Sequence, residues 1–208
     1  MFGCVEAMLI ALTGDPQGAS TCLERYANHV ASTEEAAELA PYSKAQSVVS
    51  LAAGDVEAAH QKAAEAVSVD PLGLNSSTAL AIQARAALWL RDAEGARAGL
   101  AGMKAFRGRW MAAERLTVEA GLAAIEGRVE EAAEAYRQAI EAWRVLECTL
   151  DLALCELDLV LLLGPDHPDA TVAKEARDIF TQLGAKPFLK RLDRAAGSER
   201  SAKGLQAS

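Results

Sequence analysis

Aromatic side chains make up only 5% of this 208-residue chain. Outside a leucine-rich run near residue 160, no segment alternates β-branched or aromatic residues with polar ones. A sheet needs such residues to fill its pleated face, so their shortage excludes a β-rich fold. Positive charge is scarce too: 21 basic against 29 acidic residues leave a net −8. That balance argues against general nucleic-acid binding, which requires a basic face to displace phosphate counterions. The first residues, MFGCVEAMLIALTGD, lack a basic leader and include Glu6, unlike a secretory signal. The most apolar stretch, CELDLVLLLG, is too short to span a bilayer and carries Glu156 and Asp158. Four cysteines without a compact framework suit a reducing compartment. A soluble, cytoplasmic protein is expected.

What the chain has in excess is alanine, 45 residues of it. Alanine is the best helix former and has little bulk, so many closely packed helices are expected. Junctions recur at Gly14-Asp15, Gly54-Asp55, Arg91-Asp92 and Gly127-Arg128, with offsets of 40, 37 and 36 residues. Each follows one apolar helical pattern and precedes another, as the turn of a helical hairpin does. Glycine can end a helix in the left-handed conformation, and aspartate can cap the next. Pro16 falls at a first helical position, where a missing N–H costs nothing. Pro71 closes the second hairpin, and Asn75, Ser76 and Ser77 offer caps for the following helix.

At this period the chain resembles the tetratricopeptide repeat family, which keeps small residues at three positions per repeat where helices approach closely. The matching positions are Ala7, Ala19 and Tyr26; Ser47, Ala59 and Ala66; Ala84, Ala96 and Met103; and Ala120, Ala132 and Ala139. Nine of the twelve are alanine, where the overall alanine content would give two or three. The bulky residue that usually starts the first helix is replaced by Gly3, Ser43, Leu80 and Leu116. The larger packing residue of the second helix is Leu23, Ala63, Leu100 and Tyr136, so these repeats diverge from the family pattern.

The last part leaves the register. LECTLDLALCELDLVLLLG reads as a buried helix ending at Gly164, followed by a capped loop, a helix ending at Gly184 and a short final helix from Pro187. Residues 197–208 are polar and small and are expected to be disordered. The segment GPDHPDATVAKEARDIFTQLGAKPFLKRLDRA is similar to the end of helical-repeat regions in large bacterial regulators. Those proteins join such repeats to AAA-type or STAND-type ATPases, and some add a class III adenylate cyclase or a LuxR-type DNA-binding module. No Walker-type phosphate loop or helix-turn-helix accompanies the segment here. With Met1 almost at the first position of a repeat, the first hairpin is expected to present an apolar face to a partner.

Candidate chemistry is thin. His60 has no histidine or cysteine three or four residues away, and His29 and His167 fare no better. Cys148 and Cys155 lie two helical turns, roughly 10 Å, apart, too far for one metal or a disulfide. The acids Glu34, Glu35 and Glu38, like Glu130, Glu131 and Glu134, fall in first helical turns, where they complement the helix dipole. KAFRGRWMAAER is the one aromatic-basic cluster, with Arg107 and Arg109 as candidate anion contacts.

In the tetratricopeptide family the first helix of each hairpin lines a concave, peptide-holding side. By position that implicates Lys44, Arg85, Trp89 and Glu114 here, with Arg85 and Trp89 the preferred pair. Val48 stands where the carboxylate-clamp members of the family have asparagine, which argues against that activity. The expectation is an all-α, right-handed superhelical array of about five antiparallel hairpins over residues 1–196. It implies a non-enzymatic scaffold for protein or interdomain contacts in bacterial signalling or transcriptional control, without cofactor or metal. The alternative is the C-terminal portion of a cyclase or ATPase whose catalytic modules lie elsewhere.

Overall fold

Each turn named above is built in the same way. Gly14, Gly54 and Gly127 take φ of 103°, 90° and 80°, and Arg91 takes 57° at the equivalent position. The side chains of Asp15, Asp55 and Asp92 then accept from the backbone N–H groups of Gly18, Ala58 and Gly95 at 2.8, 3.0 and 3.0 Å. A left-handed residue stops one helix and a carboxylate satisfies an orphan donor of the next. At the fourth turn Arg128 replaces the aspartate and supplies no such cap.

The structure, a computed structural model, describes residues 2–33 and 35–206. Its helices are α1 (Phe2–Leu12), α2 (Pro16–Ala31), α3 (Ala36–Ala53), α4 (Val56–Val69), α5 (Ser76–Trp89), α6 (Ala93–Met103), α7 (Arg109–Ile125), α8 (Val129–Leu146), α9 (Thr149–Leu163), α10 (Ala173–Gln182) and α11 (Lys186–Gln206). A 3₁₀ turn, Pro168–Val172, precedes α10. No strand occurs among the described residues, and the helices pack mostly as antiparallel neighbours in sequence. Every odd-numbered helix also touches the next odd one, so α1, α3, α5, α7, α9 and α11 form a continuous row. Two contacts reach further: α5 meets α9, and α3 meets α11. Among the described residues no helix is long and apolar enough to cross a membrane.

The small positions are where the helices close on one another. Eleven of the twelve are fully buried, at 0% exposure. Tyr26, the twelfth, is half-buried and its ring lies over Gly3, so that a Cβ on Gly3 would fall 1.9 Å from it. The bulk missing at the start of the first helix is thus supplied by its partner helix. At Gly99 a Cβ would come within 3.2 Å of the Ala84 Cα, the signature of a backbone approach that only glycine allows.

Two local expectations change. Asn75 makes no capping bond at the start of α5; its Oδ1 accepts from Lys44 Nζ at 2.8 Å instead. Ser76 Oγ, also expected as a cap, turns back to donate to the Asp70 carbonyl. The loop between α4 and α5 is therefore tied across to α3 rather than closed on its own helix. Helical backbone also runs on through Gln206, into the segment expected to be disordered, while Ala207 and Ser208 lie outside the described residues. The thickest part of the core is C-terminal, where Tyr136 and Trp143 of α8, Leu157 of α9, Phe180 of α10 and Leu192 of α11 are all buried.

Candidate functional site

Helix α9 is buried on nearly every side from Leu152 to Val160, and that span includes Glu156 and Asp158, both at 0% exposure. A carboxylate removed from water must find donors or lose its charge. Asp158 finds them on α5: Arg85 Nε donates to one oxygen at 2.9 Å and Trp89 Nε1 to the other at 2.6 Å. Both donors lack any acceptor capacity, which is the arrangement of an ionised carboxylate. Four residues apart on a helix, Arg85 and Trp89 share a face and grip the acid together.

Around this pair the row contributes further charge. Glu114 of α7 lies 3.7 Å from Arg85 Nη2, too far for a hydrogen bond, and its Oε2 is buried without a partner. Burial pushes the Glu114 carboxyl up to about 7, with Arg85 pulling against it. Burial also raises Asp151, opposed by Arg85 and by a hydrogen bond from Trp110. For Arg85 itself burial acts downward, but Asp158 and Glu114 outweigh it and hold the guanidinium charged. From α11, Arg191 stacks over the Trp89 ring, 3.9 Å from its centroid. Below the cluster Trp143 Nε1 donates to Thr117 Oγ1 at 3.0 Å, and Trp110 meets the Trp143 ring edge-on at 6.0 Å.

A second buried acid sits one turn away from the wall of α9 facing α5. Glu156 lies 3.7 Å from Arg144 of α8 and beside Glu175 of α10. Burial first, then the Glu175 charge, pushes it up to about 9, so it holds a proton at neutral pH. Arg144 bonds Glu175 at 2.5 Å and holds that second carboxyl below its usual range.

The structure therefore brings Arg85, Trp89 and Glu114 together, but against α9 and α11 of the same chain. Lys44 stands apart, bonded to Asn75. Arg107 and Arg109 are exposed; Arg107 edges an open depression of about 300 Å³ with Lys104, Phe106 and Arg115, and Arg109 does not line it. Arg115 is committed elsewhere, donating to the carbonyls of Met103 at 3.3 Å and Phe106 at 3.2 Å at the end of α6. His29 faces Glu38 at 3.8 Å, His60 Nε2 is buried without a partner, and His167 Nδ1 accepts from the Asp169 N–H at 3.2 Å. Of the acid clusters, Glu34 lies outside the described residues, while Glu134 pairs with Arg137 at 2.8 Å. The cysteines are free thiols, and among the described residues no group of three or more His, Cys, Asp or Glu is placed to hold a metal.

Sequence reasoning missed Asp158 and Asp151 as members of the cluster. A signal existed: an acid in the middle of a leucine-rich helix and an arginine in the middle of the alanine-rich stretch ALAIQARAALWL each require a buried partner.

Compared with protein-family models, curated proteins and solved structures, the chain matches none. Fold and site together define an all-helical protein of hairpins whose odd-numbered helices are locked across the row by one buried acid–arginine–tryptophan cluster.

Proposed function

We propose that the chain is a non-enzymatic helical-repeat scaffold that mediates protein–protein or interdomain contacts. In this reading its hairpins wind as a right-handed array of the tetratricopeptide kind. The observation that carries it is the row of odd helices joined at eleven fully buried small positions, spaced as the repeat period requires. Hairpins of this type bury their apolar faces only by stacking, and they offer extended surfaces for partners. The arginine–tryptophan face of α5 is already taken by α9 and α11. Partner contact therefore falls to other surfaces, first of all α1, where Val5 and Leu9 are 48% and 59% exposed. The likeness of the 164–195 segment to bacterial regulators supports a cytoplasmic role in signalling or transcriptional control, biasing a neighbouring ATPase, cyclase or DNA-binding module.

The test is co-purification from bacterial cells with the parent chain and a V5E/L9E variant, after circular dichroism shows that the variant folds. The reading expects a signalling or transcription protein to be retained by the parent and lost from the variant. It fails when the two chains retain the same proteins, or when neither retains any above background.

A further inference from the structure

Helix α11 has two faces. Phe188 and Leu192 are buried, with Phe188 5.7 Å from Phe180 of α10, ring to ring. The other face carries Lys186, Lys190, Arg191 and Arg194, at a spacing that stacks them along one side. This basic side looks across a cavity of about 610 Å³ whose opposite walls are the α1–α2 turn at Gly14 and the end of α3 at Gly54. Leu51 and Leu161 add an apolar floor, and no aspartate or glutamate lines the space. The Lys186 stem rests on Gly14, where a Cβ would come 2.9 Å from that of the lysine, so glycine lets the cation approach the turn.

Internal partners do not neutralise the stripe. Among the described residues Lys186 and Lys190 take part in no ion pair. Arg191 has the Trp89 ring and the Asp158 field, but Asp158 is already held by Arg85 and Trp89, and Arg191 Nε is buried without a hydrogen bond. Arg194 adds a like charge beside it. The nearest compensation is the two capping aspartates, Asp15 and Asp55, whose carboxylates are engaged with the N–H groups of Gly18 and Ala58. Each turn also joins the end of one helix to the start of another, so the helix dipoles, about half a charge at each end, largely cancel. Four cations against two occupied acids leave a positive cavity in a protein of net charge −8.

We propose that this cavity binds a small phosphorylated molecule with an apolar body, its phosphates on the α11 stripe and its body on Leu51 and Leu161. Lysine supplies compact point charges and arginine planar forks, and both recognise phosphate through charge-assisted hydrogen bonds. The volume matches ordinary small-molecule sites.

The experiment is calorimetric titration of the full chain with ADP, inorganic pyrophosphate and adenosine, repeated with a K186A/K190A variant. Both lysines are exposed, so their truncation leaves the packed face of α11 intact. Saturable ADP binding, weakened about tenfold or more in the variant, is expected. Pyrophosphate should bind more weakly than ADP, adenosine should not bind, and an R107A/R109A control should match the parent. Absence of saturable ADP and pyrophosphate binding, or equal binding by K186A/K190A, overturns the proposal. ADP binding no tighter than pyrophosphate overturns the role given to the apolar floor.

Discussion

Arg85 and Asp158 lie 73 residues apart in sequence and 2.9 Å apart in space, both buried, with Trp89 completing the grip on the acid. Removing one member of such a pair strands the other charge away from water, at a cost of about 3–5 kcal/mol. Asp158→Ala should therefore lower the urea midpoint sharply. Trp89→Phe removes one bond to an ion and should cost about 1.5–3 kcal/mol. An R85M/D158M double variant should be clearly less damaged than the sum of its single changes, because neither charge is left alone. Additive losses would show that the two side chains do not depend on each other.

Stability should fall as pH rises through the neutral range. Glu114 and Glu156 have folded values of about 7 and about 9 against an ordinary 4.5. Folding thus favours their protonated forms, a contribution fully present below the unfolded value and lost as pH climbs toward the folded one. Glu156→Gln stays neutral at every pH, so its advantage over the parent should grow between about pH 5 and about pH 8.5. Urea unfolding of both chains across that range checks this, and parallel curves would mean that Glu156 is ionised in the folded protein.

The close positions should reject bulk. Ala132→Leu, at 0% exposure, should destabilise by about 1–3 kcal/mol or more, whereas the same change at the exposed Ala98 should move stability by no more than about 0.5 kcal/mol. Thermal unfolding of the two variants makes the comparison, and equal effects would contradict the packing described for the repeat contacts.

Arg91 holds φ of 57° where three other turns have glycine. Left-handed geometry costs an ordinary residue about 1 kcal/mol, partly offset in the exchange by the greater freedom of an unfolded glycine. Arg91→Gly should therefore raise stability by a few tenths to about 1 kcal/mol. Asp92→Ala, next to it, should lower stability by about 1 kcal/mol through loss of the bond to Gly95. A destabilised Arg91→Gly would show that the arginine side chain contributes more than its backbone costs.

How far these features could be read in advance depends on distance along the chain. The turns were legible because their chemistry is local: a left-handed residue, a capping aspartate and alanines at fixed spacing all lie within one repeat. Arg85 and Trp89 also stood out, as a probable meeting point with something else. What they meet was hidden, because Asp158 is some seventy residues away and no local pattern pairs it with α5. Asn75 misled for the same reason, since its side chain serves Lys44 from an earlier helix rather than the helix it precedes. Glu156 illustrates a third limit: whether an acid in an apolar helix is ionised depends on Glu175 and Arg144, contributed by two other helices.

The contacts of α5 with α9 and of α3 with α11 change how the chain can come apart. An open stack, in which each unit touches only its neighbours, can fray from either end while the middle survives. Here the last helix braces an early one, so shortening the chain at α11 should loosen its centre and its N-terminal half as well. Such a molecule is expected to melt as one cooperative unit, and to fold more slowly than its wealth of local turns would suggest.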